Sequence, residues 1–206
     1  MITVDLVDTI SKRQVDDFIR LPFRLYRNCP QWVPPFRSDI RLMLNKHKHP
    51  FYELNDADFF VVRRDGEIVG RLAVMENRSF NNYHKVKKAQ FYLFECKNDQ
   101  EAANALFERG FDWSRQRGLD MIVGPKGFSA FDGYGILIEG YELRQMMIMM
   151  NYNYPYYREL LENIGFEKEV DFISCYLPKD TFNLPERVRE VGRRVRERGT
   201  FKVKEF

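Results

Sequence analysis

Phe59-Phe60-Val61-Val62-Arg63-Arg64-Asp65-Gly66-Glu67-Ile68-Val69-Gly70-Arg71-Leu72-Ala73-Val74 is the stretch on which the reading of this chain turns. Two runs rich in β-branched and aromatic residues flank Asp65-Gly66. That dipeptide tolerates the positive φ values of a tight hairpin turn. An antiparallel pair is therefore expected over residues 58–75. Residues 89–96, Ala-Gln-Phe-Tyr-Leu-Phe-Glu-Cys, read as a third consecutive strand, which makes the middle of the chain a meander.

Working outward, the period changes after Cys96. Asp99 can cap a helix whose apolar face is Ala102, Ala103, Leu106, Phe107, Phe111 and Trp113, and Gly118 ends it. Met121-Ile122-Val123 is next, a short buried strand, so residues 89–123 form a β-α-β crossover with parallel strands. Upstream, residues 2–7 alternate as a strand. Thr9 or Ser11 can cap a helix through about Asn28, with a kink or break expected at Pro22. Pro30, Pro34 and Pro35 force an extended segment that Trp32 and Val33 pin to the core. Ser38 caps a short helix through Leu44. Downstream, the Gly- and aromatic-rich residues 126–134 read as a loop, with extended pieces at 135–138 and 146–149. Pro155 starts a helix over 156–164 that Gly165 ends, and residues 170–177 read as a last strand. Residues 181–185 are a linker to a basic helix over 186–198, and 201–206 look like the start of another strand.

Composition fits a folded protein of one domain: 206 residues, 44% hydrophobic and 31% charged. The net charge is +3, but residues 184–206 hold eight Lys or Arg against four Glu, leaving the main body at −1. Such a body does not gather nucleic acid. No apolar run is long enough to cross a membrane, and the N-terminus lacks the basic start of a signal peptide. Cys29, Cys96 and Cys175 are widely spaced and odd in number, which suits reduced thiols in the cytoplasm. His47, His49 and His84 complete no metal-ligand spacing, so no metal is expected.

The order of elements, with three motifs in place, resembles the GNAT superfamily of acyl-CoA N-acyltransferases. The motifs are the hairpin Val61 to Arg71 with its DGxxVGR turn, the strand of residues 89–96 running into a helix, and Tyr156-Tyr157-Arg158-Glu159-Leu160-Leu161-Glu162-Asn163-Ile164-Gly165-Phe166, similar to the family's late helix. Residues 24–35, VGR, GPKGFS and NYPYYRELLENIGF also look like a bacterial GNAT-like group whose chains carry a second GNAT-like half. The implied fold is α/β (α+β), a mixed, mostly antiparallel central sheet flanked by helices. It covers residues 1–180, with 181–206 as a linker, basic helix and terminal strand that would either open a second half or pair with the first domain.

The resemblance implies transfer of an acetyl or acyl group from acetyl-CoA or another acyl-CoA to an amine on a small molecule, with a homodimer as one possible assembly. By position, Phe94, Cys96, Lys97 and Asn98 would contact the cofactor. Glu95, at the end of the third meander strand, is a candidate general base, with Glu76 as the other. Leu161 stands where the family's late helix carries a tyrosine acid, so Tyr156 and Tyr157, about one turn earlier, are the candidate acids. Lys126, Ser129, Asp132 and Tyr134, in a loop at the edge of a crossover, are candidate substrate contacts. Residues 95–104 contain no glycine and place Asp99 and Glu101 where a cofactor's phosphates would lie. Two alternatives therefore stand beside the acyltransferase reading. One is a catalytically inactive binding or assembly module, and the other is a transferase using a non-CoA acyl donor.

Overall fold

The computed structural model describes the chain except Ala130, Met147, Ile148, Tyr176, Lys179, Thr181 and residues 201–203, 205 and 206. It divides into two compact units, Met1–Asp171 and Phe172–Phe206.

The first unit is built on one sheet of five strands in the order β1-β2-β3-β4-β5: Ile2–Leu6, Asp56–Arg64, Glu67–Glu76, Lys88–Cys96 and Met121–Val123. The first four run antiparallel and β5 joins β4 in parallel. At the β2–β3 turn Asp65 and Gly66 take φ of 50° and 85°, the conformation that Asp-Gly was expected to supply. Alternation then divides the sheet's side chains between two cores. Phe60, Val62, Leu72 and Val74 face α4 (Gln100–Gln116) and α5 (Tyr156–Ile164), while Phe59, Val61, Ala73 and Met75 face α1 (Lys12–Leu25) and α2 (Arg37–Leu44). Gly70 lets α4 close on the sheet: a Cβ there would lie 2.8 Å from Val62 Cγ1 and 2.9 Å from Leu106 Cδ1.

Helix α1 starts after Ser11, whose side chain accepts from Gln14 N, and it runs through Pro22 to Leu25 without the expected break. Proline removes the N–H that would bond to Phe18 O, and the Arg71 guanidinium replaces it, Nη1 donating to Phe18 O at 3.1 Å. Helix α2 is capped at Phe36 rather than Ser38, because Ser38 lies inside the first turn with its hydroxyl on Asp39. Between β3 and β4 the chain forms a further short helix, α3 (Arg78–His84), capped by Asn77.

Of the expected strand over 170–177, the described residues 170–175 and 177 lie in no strand. Residues 135–138 are likewise not a strand, although Tyr134 bridges singly to Lys126 and to Met150. Apolar content alone does not make a strand; a hydrogen-bonding neighbour is needed. Most of the expected strand at 201–206 lies outside the described residues. In the second unit the one helix among the described residues is α6 (Glu186–Glu197). Among the described residues no helix is long and apolar enough to cross a membrane, and no cluster of His, Cys, Asp or Glu could hold a metal ion.

Candidate active site

The site lies where the two parallel strands part. β5 pairs with β4 only from Lys88↔Met121 to Gln90↔Val123, while β4 runs on to Cys96. Gly124 turns the chain out of the sheet. A Cβ at that position would lie 2.5 Å from Phe91 O, so only glycine fits without a shift. On the other edge of β4 the pairing slips between Arg71 and Ala73, and Leu93 takes φ of 51°. Leu93 and Phe94 thus stand opposite the single residue Leu72, a bulge that bends the strand and re-aims the side chain of Glu95.

Glu95 is held by three elements. From α1's end the Tyr26 hydroxyl donates to Glu95 Oε2 at 2.8 Å, and from α5 the Tyr157 hydroxyl donates to the same oxygen at 2.7 Å. From β3, Arg71 Nη2 stands 3.9 Å from Oε1, too long for a hydrogen bond but close enough for attraction. The two tyrosine oxygens lie 3.2 Å apart, and Tyr157 OH also accepts the Cys96 N–H at 3.1 Å. Burial raises the Glu95 carboxyl above its usual value, against the opposing pull of Arg71 and the two hydroxyls. Burial also holds both tyrosines far above their usual range, so they act as hydrogen-bond donors at any physiological pH. Arg71 is 3% exposed, and its Nε has no hydrogen-bond partner among the described residues.

Beside this cluster opens a pocket of about 300 Å³. Glu95, Arg71 and Tyr157 form its polar end. Trp32, Val33, Pro34, Pro35, Phe94 and Ile136 give it an apolar wall, and Gln145, Asn151 and Asn153 add amide groups. Trp32 owes its place to the proline-rich segment: its ring stacks on Tyr26 at 5.0 Å, and Tyr154 also stacks on Tyr26 at 5.0 Å. Asn153 accepts from Leu137 N at 2.7 Å and donates to Leu137 O, which fixes the return of the chain past the pocket. The arrangement can accept a proton at a buried carboxylate, next to an apolar chamber of small-molecule size.

The sequence-predicted residues divide into three groups. Glu95, Phe94 and Tyr157 meet at the pocket. Tyr156 adjoins it, its hydroxyl donating to Cys96 O at 2.8 Å, and Cys96 is buried with its thiol pushed up to about 12. Lys97 and Asn98 lie elsewhere: Lys97 Nζ is 2.9 Å from Glu67, and Asn98 is exposed ahead of α4. Of the candidate loop and its flanks, Pro125, Gly135 and Ile136 line the pocket, whereas Lys126, Ser129, Asp132 and Tyr134 do not. Ser129 N and Oγ both donate to Asp132, and Lys126 sits over the Phe80 ring at 4.6 Å. Phe128 is buried, stacked on Phe51 at 4.2 Å and edged by His49 and Tyr52. Glu76, the other candidate base, is bound by Arg78.

The helix start that would receive a cofactor's diphosphate is filled by protein groups. Asp99 Oδ1 accepts from Ala102 N at 3.1 Å, and Arg64 grips the same carboxylate through Nε at 2.6 Å and Nη2 at 2.8 Å. Arg64 Nη2 also reaches Glu101 at 2.7 Å. Arg64 holds the Asp99 carboxyl below its ordinary value. These residues do not fit a diphosphate.

Sequence reasoning missed Tyr26, Trp32 and Arg71 as parts of the site. Arg71 carried a signal: a lone cation inside the apolar run Glu67–Glu76 must find a buried partner.

No family model matches the chain. Among curated proteins it is 24% identical over 196 residues to Protein YghO of Escherichia coli (strain K12), covering 94% of this chain and 49% of that one. It is 27% identical over 184 residues to a bacterial ceramide synthase of Caulobacter vibrioides, covering 89% of this chain and 47% of that one. The chain spans about half the length of these relatives. Among solved structures, an aminoglycoside acetyltransferase from an uncultured soil metagenomic sample, in complex with sisomicin, aligns with a TM-score of 0.52 at 12% identity, covering 86% of this chain and 95% of that one. A tandem GNAT protein from the clavulanic acid biosynthesis pathway aligns with a TM-score of 0.52 at 14% identity, covering 80% of this chain and 43% of that one. At these identities the likeness is one of fold.

Proposed function

The chain has the GNAT fold, and on that scaffold we propose that it transfers an acyl group from a thioester to the primary amine of an amphipathic acceptor. The observation that carries this reading is Glu95: a carboxylate with a raised pKa, held by two tyrosine hydroxyls in a pocket that also has an apolar wall. The acceptor's amine enters beside Glu95 and its hydrocarbon lies along Trp32, Val33 and Ile136. Glu95 takes a proton from the amine as its nitrogen attacks the thioester carbonyl carbon. A C–N bond forms, the C–S bond breaks, and the departing thiolate recovers a proton, giving an amide and a free thiol. Burial raises the carboxyl and makes it a stronger base than an exposed glutamate, while its two hydroxyl donors favour the ionised form that accepts the proton. A relative named a ceramide synthase supports the choice of acceptor, because a ceramide is an N-acylated long-chain amino alcohol. Free thiols at Cys29, Cys96 and Cys175 suit work in the cytoplasm.

The test is direct. The purified chain is incubated with a panel of acyl thioesters and a long-chain 2-amino alcohol; thiol release is followed by colour and the amide by mass spectrometry. Amide formation that disappears in Glu95→Gln supports the assignment. Amide formation at the same rate in Glu95→Gln removes Glu95 from the role. No amide with any donor leaves the binding-module reading, which the filled start of α4 favours.

A further inference from the structure

We infer that this domain recognises its thioester donor by the acyl and thiol-arm end alone, and holds no part of a nucleotide diphosphate. The inference rests on the acyl-transfer reading above and narrows its donor.

A helix start binds an anion when its first N–H groups are free and its dipole is not already answered. At α4 the dipole is already answered and one of those N–H groups is taken. The Asp99 carboxylate takes the Ala102 N–H, and the Arg64 fork closes over that carboxylate from the outside. Glu101 adds a second negative charge on the same guanidinium. Two carboxylates against one cation leave the helix start negative, before any ligand arrives. Lys97, the nearest other cation in sequence, is paired with Glu67. A diphosphate entering here would have to break a bidentate pair and would then face the released Asp99.

The strand leading to that helix is closed in a second, independent way. Cys96 offers one N–H and one C=O where β4 no longer has β5 beside it. Tyr157 accepts the N–H and Tyr156 donates to the C=O. Two adjacent tyrosines thereby do for Cys96 what a neighbouring strand would do. An amide-bearing arm running from the pocket to α4 finds this edge already satisfied. The pocket on the Glu95 side, by contrast, is open, and about 300 Å³ suits the reacting ends of donor and acceptor rather than a nucleotide.

The full chain is titrated with 3′-phospho-ADP, the phosphate-bearing end of coenzyme A, by calorimetry. In parallel kcat/KM is compared for one acyl group carried on coenzyme A and on N-acetylcysteamine, a thiol arm without phosphates. We expect no heat of binding at about 1 mM nucleotide and donor efficiencies within about tenfold of each other. Nucleotide binding, or a preference for the coenzyme A thioester beyond about tenfold, overturns the inference. If neither donor is used, the acyl-transfer reading fails, and the calorimetry alone still decides whether a diphosphate site exists. A double variant, Asp99→Asn with Glu101→Gln, checks the cause: it should gain a nucleotide signal that the parent lacks. A folded double variant that gains none refutes exclusion by these carboxylates.

Discussion

Tyr157→Phe removes one oxygen and tests the whole cluster. That oxygen serves three neighbours: it donates to Glu95 Oε2 at 2.7 Å, accepts the Cys96 N–H at 3.1 Å, and lies 3.2 Å from the Tyr26 hydroxyl. Phenylalanine keeps the ring packed on Phe94 but leaves the Cys96 N–H without a partner, at a cost of about 1–3 kcal/mol for a buried donor. Loss of a bond to a carboxylate adds about 1.5–3 kcal/mol. A sum of about 3 kcal/mol or more corresponds to a fall in Tm of roughly 10 °C for a chain of this size. The penalty should depend on pH. Glu95's folded pKa lies above its usual 4.5, so its contribution to stability is complete below about pH 4.5 and is lost as pH rises through the folded value. The Tyr157 bond opposes that loss by favouring the carboxylate, so the cost of Tyr157→Phe must grow from pH 4 toward pH 8. Urea unfolding at several pH values reads both features. Tyr26→Phe, which gives up a bond to Glu95 but no backbone N–H, should cost less. A Tyr157→Phe penalty below about 1 kcal/mol, or one independent of pH, would refute the cluster as described.

Glu95→Gln should lower thiol release by about 10²- to 10⁴-fold, and should abolish the fall in stability above pH 4.5 that ionising a buried carboxyl causes; a retained pH slope would place the titrating group elsewhere. Gly70→Ala pushes a methyl into Val62 and Leu106 and should destabilise by about 1–3 kcal/mol in urea unfolding. Arg71→Met deprives Glu95 of its neighbouring charge and Phe18 O of its donor, and should cost about 3–5 kcal/mol. Arg71→Lys, which keeps the charge, should recover part of the loss, and equal losses in the two variants would count against the charge argument.

The hairpin, the meander and the crossover helix were legible in the sequence because each is specified locally. Asp65-Gly66 sets a turn, alternation sets two faces of a sheet, and Asp99 and Gly118 bracket a helix. Glu95 was legible too, as a carboxylate at a strand end. The rest depended on neighbours that sequence spacing does not reveal. Pro22 reads as a break in sequence, yet Arg71, from a different element, supplies the missing donor. Residues 170–175 have the apolar content of a strand, but pairing is a property of two segments, and among the described residues none joins them.

The loop of residues 126–134 has the composition of a ligand contact because Gly and aromatic residues cluster there. Its polar side chains bond to one another or sit over rings, and Phe128 fills a core. The sequence by itself determined the hairpin, the meander and the crossover helix in their order, along with the acids at the start of α4, since those depend on short-range backbone chemistry. The tertiary structure decided what Glu95 is. Only packing brings Tyr26, Arg71 and Tyr157, which are remote in sequence, around a single carboxylate. The burial that raises its pKa exists only once those elements close over it.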